Sequence, residues 1–268
     1  MNSIKNSPRK WLQTLTKDLK NVIKWGNNMI AIKTENLTKK YKDTVAVDNL
    51  NLSVFKGELL ALLGVNGAGK TTTVKMLSCL AKPTSGDAFL NGKSILNDSD
   101  CVKSFIAVSP QETAIAEGLS VYENLEFMCG VHGFTKDKKS EKTAELLKLL
   151  SLEDIKNKKA GKLSGGLKRR LSIAMALISE PEILFLDEPT LGLDVIIRSD
   201  LWDIIRLLKG KVTIILTTHY MEEAEALSDR VAIMKNGKLI VCDTVGNIKK
   251  TAETDSFEQA FIKFVKEA

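Results

Sequence analysis

The run Leu59-Leu60-Ala61-Leu62-Leu63 is wholly apolar, stops at Gly64 and is followed within a few residues by Gly67 and Gly69. It is too short for a helix and shows no polar alternation, so it reads as a strand covered on both faces, the situation of a parallel sheet. Parallel strands need crossover connections, which commits the chain to alternating strands and helices. Further runs of the same kind are Phe105–Val108, Ile183–Leu186 and Val212–Leu216. Thr71–Leu80 reads as a helix. Residues from about 113 to 163 read as mostly helical, with Val121, Leu125 and Met128, and then Ala144, Leu147 and Leu150, at helical spacing. Ahead of the glycine-rich turn, Ile30 and Ile32 alternate with polar neighbours, Leu37 precedes a turn, and Leu50–Val54 predicts a strand ending near Gly57. Val231–Met234 and Lys238–Val241 flank Asn236-Gly237 as a hairpin, and Ser256–Val265 predicts a closing amphipathic helix. The expectation is an α/β fold with a largely parallel sheet, its functional loops at the carboxyl ends of the strands.

Bulk properties narrow the partners. At 268 residues, 44% hydrophobic, the chain has ample material for a core. None of its apolar runs is long enough to cross a bilayer, so in any membrane process another chain must supply the pore. Lys5, Arg9, Lys10, Lys17, Lys20 and Lys24 face Asp18 alone within residues 1–28, a net +5 that leaves only +1 of the total +6 for the rest. A nearly neutral body argues against a broad nucleic-acid face. Cys79, Cys101, Cys129 and Cys242 are widely spaced, with no C-x-x-C pair, which suits reduced thiols better than a disulfide framework or a zinc site.

The chemistry concentrates at strand ends. Gly64-Val65-Asn66-Gly67-Ala68-Gly69-Lys70-Thr71 fits G-x-x-x-x-G-K-[ST] without mismatch, with Thr72 following. Glycines let the backbone curl so that successive N–H groups face phosphate oxygens, and the next helix adds the positive end of its dipole. Lys70 is placed to reach the β- and γ-phosphates, and the Thr71 hydroxyl to ligate Mg²⁺. Ile183–Leu186 delivers Asp187 toward that metal and Glu188 toward a water that attacks the γ-phosphate.

Leu163-Ser164-Gly165-Gly166-Leu167, just before an apolar helix, narrows the class. Here the chain resembles the ATP-binding-cassette (ABC) ATPases, whose hallmark has the form L-S-G-G-Q. Leu167 stands where that family usually has Gln, which removes one polar side chain and leaves the hydroxyl and backbone donors of Ser164, Gly165 and Gly166. The resemblance runs from about Met29 to Val241. It implies that Tyr41 stacks on adenine, although its place also suits an edge tyrosine. It implies that Gln111 touches the metal and relays the nucleotide state, that Asp194 in Leu191-Gly192-Leu193-Asp194 lies at a dimer seam, and that His219, after Thr217-Thr218, senses the γ-phosphate. His132 is left as structural.

The resemblance therefore implies a P-loop NTPase with a RecA-like, mainly parallel sheet core, an N-terminal antiparallel β subdomain and an inserted α-helical subdomain at about 113–170. Residues 29–241 form the cassette, 1–28 a basic extension and 242–268 a helical tail. It implies an ATPase using ATP and Mg²⁺, with catalysis by Glu188, His219 and Lys70, and metal ligation by Thr71, Gln111 and Asp187. The resemblance further implies a head-to-tail cassette dimer, its second cassette this same chain or a similar one, that drives a separate multi-span membrane permease from the cytoplasmic face of the cell membrane. Thr190–Asp194 and Lys168-Arg169-Arg170 look like the cassettes of drug-export and ABC-2-type permeases. A cytosolic ABC ATPase without transport, or a regulatory nucleotide-binding subunit, are the rival readings. The single signature and the lack of heptads count against the first, and Glu188 and His219 against the second. In residues 1–28, Trp11, Leu12, Leu15, Leu19, Val22 and Ile23 share one helical face opposite most of the lysines, a pattern suited to an anionic membrane surface. Packing on the cassette or permease, disorder, or a true start at Met29 are the other readings.

Overall fold

The computed structural model describes residues 29–267; the amphipathic face expected in residues 1–28 lies outside them. Two sheets form. In the smaller, the long strand β1 (Ile30–Tyr41) pairs antiparallel with β2 (Thr44–Leu50) and β3 (Ser53–Phe55) along one edge and with β5 (Ser85–Leu90) along the other, and β6 (Lys93–Ser94) follows β5. The larger sheet has the order β11-β10-β4-β9-β8-β7, made of β4 (Leu59–Leu63), β7 (Ile106–Ser109), β8 (Ile183–Asp187), β9 (Thr213–Thr218), β10 (Arg230–Lys235) and β11 (Lys238–Asp243). All its pairings are parallel except β10–β11, the hairpin around Asn236-Gly237, whose turn residues both have positive φ.

The unbroken apolar runs are explained by what covers the sheet. On one face Leu60, Leu62, Ile183, Phe185 and Ile215 pack with Val74, Met76 and Leu77 of α1 (Lys70–Leu77) and with Ile32, Leu37, Val47 and Leu50 of the smaller sheet. On the other face Leu59, Leu184, Leu186, Ile214 and Leu216 pack beneath α3 (Val121–Val131), α4 (Lys136–Leu149), α5 (Gly165–Leu177) and α6 (Val195–Leu208). Ala61, Leu63, Val231 and Ile233 belong to a third cluster with α7 (Met221–Leu227), α8 (Val245–Thr251) and α9 (Phe257–Glu267). A short helix, α2 (Ser99–Phe105), leads into β7. Among the described residues no helix is long and apolar enough to cross a membrane, and all four cysteines are free thiols.

Two local expectations are corrected. Leu50–Val54 is not one strand: β2 ends at Leu50 and β3 begins at Ser53. Between them Asn51 accepts from the Asn36 backbone N–H at 2.9 Å and donates to the Asn36 side chain at 3.0 Å, while Asn36 and Asn49 both take positive φ. The asparagines tolerate that backbone and satisfy a bulge in the long hairpin. In α4 the buried residues are Lys142, Thr143, Leu146 and Leu147, with Leu150 just beyond, and Ala144, at helical spacing with Leu147 and Leu150, is exposed while Thr143 takes its place on the covered face.

The entry to α3 is a capping box in which Ser120 accepts from the Glu123 N–H and Glu123 accepts from the Ser120 N–H. Those Ser120 bonds, with the Lys159 ammonium at 3.2 Å, hold the Glu123 carboxyl down to about 2. A carboxyl lowered in the folded state stabilises it above its unfolded value and loses that contribution as pH falls through the folded one. We therefore expect the helical region around α3 to weaken between about pH 4.5 and 2. In Glu123→Ala, urea midpoints should be lower at pH 7 and should lose this component of their acid dependence.

Candidate active site

Sheet register builds the site. Leu63 of β4 pairs with Thr218 of β9, Asp187 of β8 with Thr217 of β9, and Ser109 of β7 with Leu186 of β8. The segments that follow these residues therefore emerge side by side at one edge of the sheet.

Gly64 leaves β4 so close to β10 that a Cβ there would lie 2.5 Å from the Met234 carbonyl oxygen. Gly69, at φ 103, would place a Cβ 2.5 Å from the Ala46 carbonyl oxygen of β2. No other residue type fits either position without moving backbone. Between them Val65, Asn66, Gly67 and Ala68 complete the loop, with the Ala68 N–H bonded to the Val65 carbonyl at 3.1 Å. The first turn of α1 has no side-chain cap, which leaves the amides of Lys70, Thr71 and Thr72 at its open end. Lys70 is buried, and its ammonium donates to the carbonyls of Gly64 at 2.8 Å and Val65 at 3.3 Å and lies 3.7 Å from Glu188 Oε1. Burial pushes its pKa below the usual lysine range, against the opposing pull of Glu188.

Two carboxylates end β8. Asp187 accepts from the hydroxyls of Thr71 at 3.2 Å and Thr217 at 2.5 Å. Glu188 has φ 47, a left-handed backbone uncommon for this residue type. Its N–H is held by the Thr217 carbonyl at 3.1 Å and the Thr217 hydroxyl at 3.0 Å. Its side chain meets His219 Nδ1 at 2.9 Å through Oε2. The His219 ring lies 4.1 Å from that of Tyr220, and the Arg198 guanidinium lies 4.5 Å from the Tyr220 ring. Lys70, Glu188 and His219 are thus one connected group, with Asp187 and Thr71 beside it.

Tyr41 ends β1 with its ring half exposed and the Lys39 ammonium 5.0 Å from its centroid. It lies in the same hairpin as Ala46 and Val47, which rest on Gly69. Gln111 follows β7 in an exposed loop. Ser164 caps α5, its hydroxyl accepting weakly from the Leu167 N–H at 3.5 Å, and Asp194 caps α6 by accepting from the Ile197 N–H at 3.0 Å. These two helix starts touch each other: a Cβ on Gly165 would meet Leu193, and one on Gly166 would collide with Ile197. Ser164–Gly166 and Asp194 therefore form a second surface group in the same chain. Leu167 turns its side chain onto the helical core.

Sequence reasoning assigned no role to Thr217 or Arg169. Thr217 was legible only as the polar end of an apolar strand, and Arg169 sits in a basic run that resembles a solvated face. Replacing the Thr217 hydroxyl by a methyl in Thr217→Val keeps the shape but removes a bond to each carboxylate residue. ATP turnover is expected to fall by about tenfold or more, because each buried bond lost is worth about 1–3 kcal/mol. A steady-state phosphate-release assay at saturating ATP measures this.

The sequence profile of the ABC transporter family matches residues 47–191. The human phospholipid-transporting ATPase ABCA3 is 42% identical over 215 residues, which is 79% of this chain and 13% of that protein. The daunorubicin/doxorubicin resistance ATP-binding protein DrrA of Streptomyces peucetius is 40% identical over 222 residues, 82% of this chain and 67% of that one. Among solved structures, the ATP-binding subunit of an ABC transporter superposes with a TM-score of 0.78 at 26% identity, covering 87% of this chain and 99% of the other. A cassette solved as a dimer in a post-hydrolysis state with ADP and Pi gives 0.72 at 27% identity, over 80% and 98% of the two chains. Profile, relatives and superposition agree with a P-loop NTPase fold carrying the loop, the carboxylates and the histidine at one sheet edge, and the chain belongs to the ABC transporter family as one of its ATPase cassettes.

Proposed function

We propose that this cassette hydrolyses Mg–ATP within a head-to-tail pair of identical cassettes and so powers a separate multi-span permease, in the direction of export, from the cytoplasmic face of the membrane. The observation that carries this reading is Glu188, fixed at its backbone by Thr217 and bonded to His219 at the end of β8. In this reading Tyr41 stacks on adenine and residues Gly64 to Thr72 hold the phosphates. Ser164, Gly165 and Gly166, with Asp194, face the nucleotide of the second cassette. The exposure of both helix starts and of the neighbouring Val195 and Ile196 supports an intermolecular role for them.

The Thr71 hydroxyl and the Asp187 carboxylate, 3.2 Å apart, are hard oxygen donors, the kind Mg²⁺ takes while keeping other positions for water and phosphate. They fit the ion, with Gln111 as the third proposed contact, and there Mg²⁺ would neutralise charge on the β- and γ-phosphate oxygens. Glu188 accepts a proton from the attacking water as the water oxygen bonds to the γ-phosphorus and the bond to the ADP oxygen breaks. His219 orients that carboxylate, and Lys70 offsets the charge spread over the γ-oxygens.

The domain assignment follows: 1–28 as an extension for an anionic membrane surface, 29–241 as the cassette with its helical subdomain at about 113–170, and 242–268 as the tail. Relatives named for phospholipid transport and for drug resistance support an exported apolar or amphipathic substrate.

Glu188→Gln is expected to lower phosphate release by about 10²–10⁴-fold and to accumulate an ATP-bound dimer on size-exclusion chromatography. Release at the wild-type rate removes Glu188 from the proposed role. Solubilised from host membranes in that trapped state, the variant should co-purify with a multi-span membrane protein; ribosomes or DNA factors in its place would transfer the reading to a cytosolic ABC ATPase. Removing residues 1–28 should abolish binding to phosphatidylserine-containing vesicles, and unchanged binding ends the membrane-surface proposal.

A further inference from the structure

Lys168, Arg169 and Arg170 are consecutive, yet their surroundings differ. Lys168 pairs with Glu117 at 2.6 Å and Arg170 with Asp200 at 2.9 Å, both carboxylates at the surface. Arg169 is buried, 5% exposed, and among the described residues no carboxylate pairs with it. Its guanidinium instead donates to three backbone carbonyls: Pro110 at 2.5 Å, Gln111 at 2.6 Å and, more weakly, Glu188 at 3.4 Å. Burial depresses its pKa, and the charges of Asp187 and Glu223 offset part of that. A buried cation is expensive, and a planar fork is the side chain that reaches several carbonyls on different segments at once.

Those carbonyls belong to two segments of the active site, and the helix bearing Arg169 starts at Ser164–Gly166. Glu188 adopts a left-handed backbone that persists only where its surroundings hold it. Its N–H is held by Thr217; its carbonyl is held by the Leu191 N–H at 3.2 Å and by Arg169. We propose that Arg169 is a positioning residue for hydrolysis, locking the Gln111 loop and the Glu188 turn to the helix that begins at Ser164, so that Glu188 points at His219 and Lys70 only while all three are in register. This deepens the proposed ATPase reading and rests on Glu188 acting as its base.

The full-length protein tests it with Arg169→Met and Arg169→Lys. Both are expected to bind a fluorescent ATP analogue within about twofold of wild type, to keep KM within about twofold and to lose about tenfold or more in kcat, since methionine removes all of the carbonyl bonds of Arg169 and lysine cannot span them together. The lysine variant keeps the charge and lacks the fork, so it should not restore turnover, and it remains informative if the methionine variant fails to fold. In a Glu188→Gln background, Arg169→Met should lower the residual rate by less than about twofold, because the group it positions is already gone. Wild-type kcat in Arg169→Lys, or parallel losses of nucleotide affinity, KM and melting temperature in both variants, overturns the proposal while leaving Glu188 as base. Wild-type turnover in Glu188→Gln alone would remove the base itself, and the role of Arg169 with it.

Discussion

The register of the parallel sheet is the constraint on which the rest depends. Parallel hydrogen bonding aligns Leu63 with Thr218, Thr217 with Asp187, and Leu186 with Ser109. A slip of one residue in any of these pairings would send every side chain of that strand to the opposite face. Because each strand is apolar on both faces, the core alone specifies register poorly. The polar residues at the strand ends supply the missing specification, since the Thr217 hydroxyl can meet Asp187 and the Glu188 N–H in one alignment only.

Around that edge the structure joins segments that are remote in sequence. The smaller sheet reaches the phosphate loop through Ala46 against Gly69, and β10 reaches it through Met234 against Gly64. Behind His219, Tyr220 is stacked near Arg198, whose guanidinium also lies 3.5 Å from the Leu193 carbonyl next to Asp194. Among the described residues, Thr190 Oγ1, Arg198 Nε and Glu223 Oε2 are buried with no partner inside hydrogen-bond distance, and burial raises the Glu223 carboxyl above its usual range against the opposing pull of the neighbouring Thr218, Thr190 and Trp202.

What could be read from the sequence was what local physics dictates. The glycines of the phosphate loop are required by their own backbone geometry, and the doubly covered strands announce themselves by lacking alternation. Ser85–Leu90 and Ser99–Phe105 gave no such signal: the first mixes small and polar residues along β5, and the second buries only Val102. The break between β2 and β3 depends on Asn36 meeting Asn51 across a hairpin, a relation invisible until the strands pair. α6 does carry a legible stripe at helical spacing, Leu201, Ile204, Ile205 and Leu208. The burial of Arg169 between two partly buried, carboxylate-paired bases was beyond any periodicity, because three carbonyls from folded loops decide it.

The sheet order also bears on how the chain can be made. β4, the strand that carries the phosphate loop, lies between β9 and β10. Its flanks are tied to them by bonds from Gly57 to Thr213, 156 positions away, and from Leu59 to Asp229, 170 positions away. A chain growing from its N-terminus therefore exposes its most apolar strand long before either neighbour exists. Such non-local pairing folds slowly and leaves sticky edges on the way. Nucleotide offered to the nascent protein would find no complete pocket until β10 had emerged, so a bound ligand can stabilise this fold only at the last stage of synthesis.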